Sequence, residues 1–146
     1  MRAVVDASVA VKLFVPEEFS TQARAIFARF ASEDGAKLVV PDFFFLECAN
    51  VFWKWVQRFA YPGLEAQTHL RDLASLGLEV IPVEILADDA LLIALAQKIT
   101  AYDACYVALA TKLQLSMLTA DAKLVAKLEK GPCEVRWLGD IPSMAK

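Results

Sequence analysis

The chain has 146 residues, of which 58% are hydrophobic, and a formal net charge of −3. This length predicts one domain, residues 1–146, that is large enough to bury a hydrophobic core. The negative charge argues against a protein that binds nucleic acid through bulk positive charge, although phosphates could still be reached through bound cations.

The apolar runs and the cysteines indicate the cellular compartment in which we expect the protein. We find no uncharged apolar run of the roughly 18 residues that a membrane span needs. Asp6 interrupts the apolar start "MRAVVDASVAV", which is therefore unlike the apolar core of a signal peptide. The three cysteines, Cys48, Cys105 and Cys133, lack the spacing of a metal site or a disulfide framework. We therefore expect a cytoplasmic protein with reduced thiols and no membrane partner.

Short apolar runs alternate with helical patterns along the chain. The runs predict strands at 2–6, 37–41, 78–83, 115–119 and 133–138. A short helical turn is predicted at 8–14, and longer helices are predicted at 20–35, 42–60, 63–77, 84–98, 99–113 and 121–131. Ser20 and Asp42 are predicted as the N-caps of two of these helices. This alternation predicts an α/β fold, a three-layer sandwich around a mainly parallel central sheet.

Four acidic residues lie at unusual places in this pattern. Asp6 ends the first predicted strand, and Asp121 lies two residues past Thr119, which ends the fourth. Parallel sheets bind ligands at the carboxyl ends of their strands, where the strand order reverses. Glu47 lies within a strongly aromatic helix, and Asp103 lies where an apolar helix begins. A buried charge of this kind must be neutralised, paired or bound to a cation.

Each acid also has a purely structural interpretation. Asp6 and Asp121 could cap the helices that follow them, Asp103 fits a capping box with Thr100, and Glu47 could face solvent. If the four carboxylates converge, however, they would repel one another unless a cation lay among them. Ligands that are all oxygen favour Mg²⁺ or Mn²⁺ over Zn²⁺.

The segments around these acids follow one another along nearly the whole chain: "VVDASVAVKLFVPEE", "FFFLECANVFWK", "TAYDACYVALA" and "MLTADAKL". This ordered set resembles the PIN-domain family, and within it the VapC-type toxin ribonucleases. The resemblance implies an acidic catalytic and metal-binding site made of Asp6, Glu47, Asp103 and Asp121. It also implies that three polar residues lie beside the metal or the substrate, namely Ser8, Asn50 and Thr119.

The same resemblance implies Mg²⁺- or Mn²⁺-dependent cleavage of single-stranded RNA by the toxin of a type II toxin–antitoxin pair. Its expected partners are the RNA substrate, a cognate antitoxin and a second copy of the chain. Asp6 and Asp103 are assigned as the core metal ligands. Asp121 and Glu47 would complete the site through waters, or position a second ion and the nucleophile.

The residue inventory is compatible with this reaction. His69 is the single histidine and lies in a polar stretch, where we expect it at the solvated surface, so a paired-histidine mechanism is excluded. A cysteine nucleophile would lack a histidine to activate it. Water activated by a metal ion remains, and in-line attack by that water predicts a 5′-phosphate and a 3′-hydroxyl.

Basic and aromatic side chains lie near the acids in sequence. Lys54 and Arg58 follow Glu47 at i+7 and i+11 on one helix face and could hold RNA phosphates, as could Lys12, or they could be ordinary solvated charges. The same helix has more aromatic residues than one face can bury. We expect part of this surface in the core and part in a homodimer or a groove for a partner peptide.

Two other functions remain open: a structure-specific DNA nuclease of the same superfamily, and a non-catalytic protein-binding module whose acids only cap helices. A haloacid-dehalogenase-like phosphatase requires Asp-x-Asp after the first strand, where this chain has Asp6-Ala7-Ser8. A receiver domain requires an early pair of acids, which is absent here. Stabilisation by Mn²⁺ distinguishes a metal site from four helix caps.

Overall fold

A computed structural model describes residues 1–143 of the chain. Its sheet has five parallel strands: β1 (Arg2–Val5), β2 (Lys37–Pro41), β3 (Glu79–Ile81), β4 (Met117–Thr119) and β5 (Val135–Trp137). Their order across the sheet is β3-β2-β1-β4-β5. The predicted strands are confirmed, although most are shorter than their apolar runs.

The helices connect these strands in the predicted alternation. They are α1 (Ala7–Ala10), α2 (Ser20–Ser32), α3 (Phe44–Phe59), α4 (Gly63–Ala74), α5 (Ala87–Gln97), α6 (Ala101–Leu113) and α7 (Ala122–Lys127). Short 3₁₀ turns lie at Val11–Leu13, Val83–Ile85 and Leu138–Asp140. The α/β class and the parallel central sheet are therefore confirmed.

The strand order determines where the helices lie. The chain moves outward from β1 to β3 and then returns across the sheet to β4 and β5 on the other side of β1. Because parallel crossovers are right-handed, α1–α4 cover one face of the sheet and α5–α7 cover the other, which gives three layers. The direction reverses between β1 and β4, and a crevice for ligands is expected at the carboxyl ends of these two strands.

The centre of the fold is fully buried. Val4 and Val5 of β1 and Val39 and Val40 of β2 have no exposed surface, and each such side chain contributes about 1.5–3 kcal/mol through burial. Helix α6 is buried from Ala104 to Ala110 and packs against β1, β2, β4 and α5. Its many small side chains suit this central position, because they allow neighbouring elements to approach closely.

Two predicted helix caps are wrong, because other hydrogen bonds use those side chains instead. Ser20 lies inside α2, where its Oγ accepts from the Glu17 N–H at 3.0 Å and donates to the Val15 carbonyl at 3.2 Å. Asp42 precedes α3, but its carboxylate accepts from the Val83 N–H at 3.1 Å. Both side chains hold loops rather than helix ends.

Within residues 1–143, none of the helices combines the length and the hydropathy needed to cross a membrane by itself. Helices α5 and α6 meet the test of length and composition only when they are taken together, as a pair bent by 112°.

Candidate active site

Asp6 lies at the crevice between β1 and β4. Its N–H donates to the Leu118 carbonyl at 3.0 Å, which continues the pairing of the two strands. The residue is 6% exposed, and its Oδ2 accepts hydrogen bonds from the hydroxyls of Ser8 at 2.9 Å and Thr119 at 2.8 Å. Asp6 lies at the N-cap position of α1, as the capping interpretation requires, but its carboxylate makes no capping bond there and is held instead by the two hydroxyls.

The two hydroxyls that hold Asp6 are themselves fixed by the backbone after β4. Ser8 Oγ accepts from the Ala120 N–H at 3.0 Å, and Thr119 Oγ1 accepts from the Asp121 N–H at 3.2 Å. Each hydroxyl therefore donates a hydrogen bond to Asp6 and accepts one from the backbone of the loop that follows β4. This network orients the Asp6 carboxylate and ties it to the loop that carries Asp121.

Glu47 lies in the first turn of α3, not in the middle of the helix as the sequence pattern suggested. Its Oε1 accepts a hydrogen bond of 2.6 Å from the hydroxyl of Tyr106, a fully buried residue of α6. Burial raises the pKa of Glu47 to about 7; the Tyr106 bond opposes this shift, and the charges of Asp6 and Asp103 add to it. The solvent-facing interpretation of Glu47 is therefore wrong.

Asp103 lies in the first turn of α6. Its N–H donates to Thr100 Oγ1 at 3.1 Å, so Thr100 is the N-cap that the sequence predicted. Burial raises the pKa of the Asp103 carboxyl above its ordinary value, and the charge of Asp121 raises it further. The Thr100 hydroxyl and the Lys127 ammonium act in the opposite direction.

Asp121 has the capping role that the sequence pattern suggested. Its Oδ1 accepts from the N–H groups of Lys123 at 3.0 Å and Leu124 at 3.1 Å, which begins helix α7. Its side chain is exposed. Asp121 can cap α7 and still lie near the other acids, because its charge raises the pKa of Asp103.

The four acids are electrostatic neighbours. Burial raises the pKa of Asp6, and the hydrogen bonds of Thr119 and Ser8 only partly offset it; the Asp103 charge raises it further. Among residues 1–143, however, no three His, Cys, Asp or Glu side chains are placed to ligate one ion together. The acids therefore form an open group around the crevice and not a closed ligand shell.

This donor set fits a hard divalent cation. All four acids supply oxygen, the donor that Mg²⁺ and Mn²⁺ prefer, and Mg²⁺ commonly keeps several waters while one or two carboxylates hold it. The cysteines near the site are poor alternative ligands, because a thiol ligates a metal ion in its ionised form. Burial raises the pKa of the Cys105 thiol to about 11 and that of Cys48 still further. An open carboxylate group matches a cation that retains water.

Two clefts meet at Asp103. The first, which we call the aromatic cleft, has a volume of about 800 Å³ and is lined by residues that include Phe43, Glu47, Asn50, Trp53, Tyr102 and Asp103. The second, which we call the lysine cleft, has a volume of about 370 Å³ and is lined by residues that include Lys98, Asp103, Asp121, Lys123 and Lys127. Thr100 and Asp103 line both, so the clefts adjoin beside the acids.

The structure brings some of the other predicted residues to the site and not others. Ser8 and Thr119 contact Asp6, and Asn50 lines the aromatic cleft. Lys12 lies outside both cleft linings, and its ammonium pairs with Glu17 at 3.0 Å.

Lys54 and Arg58 are exposed on α3 and also lie outside both cleft linings. Because a helix rises 1.5 Å per residue, they lie about 10 and 16 Å along the axis from Glu47. Both interpretations of this stripe stay open: it could hold phosphates that flank the site, or it could be an ordinary solvated face.

The prediction for His69 is wrong. The residue is half-buried, stacks on Phe14 with a centroid distance of 4.9 Å, and shares a hydrogen bond with the Tyr61 hydroxyl. Its polar neighbours in sequence suggested a solvated position, but aromatic residues from outside α4 cover it. It is a packing residue of α4.

Sequence reasoning missed two features of the site. Tyr106 is one helical turn from Asp103 and holds Glu47, and its place in "AYDACYVALA" could have suggested a residue facing the acids. Lys123 and Lys127 follow Asp121 and lie four residues apart, on one face of a helix, yet only the fold shows that they line a cleft with Lys98 and Asp103. The sequence could have indicated the two lysines of α7, whereas the contribution of Lys98 is visible only in the folded structure.

Comparison with known proteins agrees with this geometry. The PIN domain family matches residues 3–130. Ribonuclease VapC3 from Pyrobaculum aerophilum is 37% identical over 129 residues, which cover 87% of this chain and 95% of that relative. Because the match spans most of both chains, the relation concerns the whole fold.

Solved structures agree as well. A crystal structure of a protein from Pyrobaculum aerophilum has a TM-score of 0.68 at 25% identity and covers 92% of this chain and 83% of that one. A toxin–antitoxin complex from Klebsiella pneumoniae contains a chain of the same fold, with a TM-score of 0.63, 20% identity, and coverage of 93% and 97%. The acidic crevice, the motifs and these matches together show that the chain belongs to the PIN domain family.

Proposed function

We propose that this chain is an endoribonuclease that uses Mg²⁺ or Mn²⁺ to hydrolyse single-stranded RNA, and that it is the toxin of a type II toxin–antitoxin pair. The observation that carries the proposal is a group of carboxylates gathered at the switch point of the sheet, where burial and mutual repulsion raise the pKa values of Asp6, Glu47 and Asp103. Such an arrangement is costly unless a cation offsets it. The 37% identity to Ribonuclease VapC3 supports RNA as the substrate.

Each residue of the site has a proposed role. Asp6 and Asp103 would ligate the cation directly, while Asp121 and Glu47 would act through waters or at a second ion. The cation, when bound, supplies charge neutralisation at the phosphate and a more acidic attacking water. Ser8 and Thr119 hold Asp6 in its orientation, and Tyr106 holds Glu47 so that it can position the water.

The aromatic cleft supports a single-stranded substrate. Trp53 is 58% exposed and Tyr102 is 68% exposed, and both line the cleft beside Glu47 and Asp103. Exposed rings stack on unpaired bases, which a duplex keeps inside its helix. Asn50 lies in the same cleft and could donate a hydrogen bond to a base or a phosphate.

We also propose that a cognate antitoxin and a second copy of the chain are partners, that residues 1–146 act as one nuclease domain, and that the protein works in the cytoplasm. The shared fold with a chain of the Klebsiella pneumoniae toxin–antitoxin complex supports the antitoxin. Helix α5 supports the homodimer, because it exposes Leu91, Leu92 and Leu95 on its surface. The aromatic helix α3, expected to lie partly in the core and partly in an interface, buries Phe44 and Phe52, turns Trp53 to the cleft and leaves Phe59 exposed.

Cleavage of a labelled single-stranded oligoribonucleotide with Mn²⁺ tests the proposed activity. Asp6→Asn and Asp103→Asn should each lower the rate at least about 100-fold, because a catalytic cation contributes several kcal/mol. Asp88→Asn is the matched control, since it removes an exposed acid of α5. Equal activity in all proteins would reveal a contaminant and contradict the proposal.

Two further outcomes would favour the alternatives. Cleavage of branched DNA but not of RNA would indicate a structure-specific DNA nuclease. No cleavage of either, together with no stabilisation by Mn²⁺, would indicate a protein-binding module whose acids serve only the fold. The ends of the RNA products give an additional check, since hydrolysis by in-line water should leave a 5′-phosphate and a 3′-hydroxyl.

A further inference from the structure

The lysine cleft places three cations next to two acids. Lys98 follows the end of α5, whereas Lys123 and Lys127 lie one turn apart on α7. All three line the cleft with Asp103 and Asp121. Positive charge is thus concentrated at the acidic site of a chain whose net charge is −3.

These lysines are not used by the fold as ion-pair partners. In the part of the chain that the structure describes, the ion pairs within 4.0 Å involve other cations: the N-terminus, Arg2, Lys12 and Arg29. Lys127 acts on Asp103 only at longer range, where it lowers the pKa of that carboxyl. The ammonium groups therefore remain available to an anion while the carboxylates remain available to a cation.

The placement of two lysines on α7 has a small energetic cost. Like charges at i and i+4 of a helix, such as Lys123 and Lys127, destabilise it by a few tenths of a kcal/mol. Lys98 is the C-cap of α5, and its left-handed conformation with φ 57° is an ordinary helix ending that Ala60 and Gln114 also adopt at the ends of α3 and α6. The like charges of α7 lie in the lining of the cleft beside Asp103, where a bound anion would offset their repulsion.

We propose that the lysine cleft binds the RNA phosphate next to the one that is cleaved, through Lys98, Lys123 and Lys127; this inference rests on the proposed ribonuclease function. The substrate then crosses Asp103, with unpaired bases in the aromatic cleft on one side and the backbone against the lysines on the other. The three lysines are positioning residues. They set the path of the strand where it passes the acids.

The test compares two double variants with the same change in charge. Lys123→Gln/Lys127→Gln alters the cleft, whereas Lys37→Gln/Lys112→Gln removes two exposed lysines at the opposite edge of the sheet, at the start of β2 and the end of α6. The assay is Mn²⁺-dependent cleavage of a single-stranded oligoribonucleotide over a range of KCl concentrations. Melting temperatures check that both variants are folded.

The cleft variant should lower kcat/KM about tenfold through a higher KM, with kcat almost unchanged. Its dependence of log(kcat/KM) on log[salt] should become shallower by about 1.4, because each lost phosphate contact to a single strand removes about 0.7 from the slope. Lys123→Arg/Lys127→Arg should restore both values. This salt dependence separates contact with phosphate from a purely structural effect.

A cleft variant that matches the control in KM and in salt slope, while the wild-type protein cleaves RNA, overturns the lysine-cleft inference alone. A wild-type protein that cleaves no RNA overturns the proposed function and this inference with it. Failure of the arginine variant to restore cleavage also counts against phosphate contact, because arginine keeps the charge at both positions.

Discussion

Replacing Glu47 with glutamine should stabilise the protein at neutral pH when no divalent cation is bound. Glutamine has nearly the same shape, and its carbonyl can accept the Tyr106 hydrogen bond that Glu47 Oε1 accepts at 2.6 Å. The substitution therefore removes the charge and little else. Any change in stability reports the cost of an ionised carboxylate at this position.

The magnitude follows from the pKa of Glu47, which burial raises from 4.5 to about 7. Between these two values the folded protein holds a proton that the unfolded chain has released, so stability falls as the pH rises through this window. A shift of about 2.5 units corresponds to at most about 3.4 kcal/mol. Because Glu47 is only half-buried, solvent screening reduces the expected cost to about 1–2 kcal/mol.

Thermal unfolding in EDTA at pH 5 and pH 8 measures this cost. The Glu47→Gln protein should melt about 3–8 °C above wild type at pH 8 and close to wild type at pH 5. Glu84→Gln, at an exposed position in the Val83–Ile85 turn, is the control and should show no such pH dependence. Equal melting temperatures of Glu47→Gln and wild type at pH 8 would refute the argument that this carboxylate is repelled and poorly solvated.

Two further predictions concern the packing around the site. Thr119→Val removes a buried hydroxyl that donates to Asp6 at 2.8 Å, so it should lower the free energy of unfolding by about 1–3 kcal/mol in urea titrations; a loss no larger than that of Thr68→Val, on an exposed face of α4, would argue against the network. Gly139→Ala would place a Cβ 2.6 Å from the Trp137 ring and should cost about 1–3 kcal/mol in the same assay, and a neutral result would show that this ring moves freely.

The sequence predicted the fold well because local patterns determine most of it. Strand β1 is a continuous apolar run that ends at Asp6, and such runs are typical of buried parallel strands. The Thr100 cap was predicted correctly because it depends only on residues within one turn of α6. By contrast, Ser20 and Asp42 have the right residue type for caps, but Ser20 bonds to the loop just before α2 and Asp42 bonds to the distant Val83.

The site was predicted less completely, and the reason is distance along the chain. Asp6 and Asp121 follow two strands whose adjacency could be argued from parallel topology alone. The bond between Tyr106 and Glu47 joins residues 59 positions apart, and the lysine cleft joins the end of α5 to α7. Such pairings depend on how two helices pack, which no local spacing encodes.

The central claim is that the acids at the β1–β4 crevice bind a divalent cation. Anomalous diffraction from crystals soaked in MnCl₂ tests this, because Mn²⁺ scatters anomalously and an anomalous difference map shows its position and identity. We expect a Mn²⁺ peak about 2.0–2.3 Å from carboxylate oxygens of Asp6 or Asp103, with waters completing its coordination. A fully soaked crystal with no peak at this crevice, or with Mn²⁺ bound only elsewhere, would contradict it.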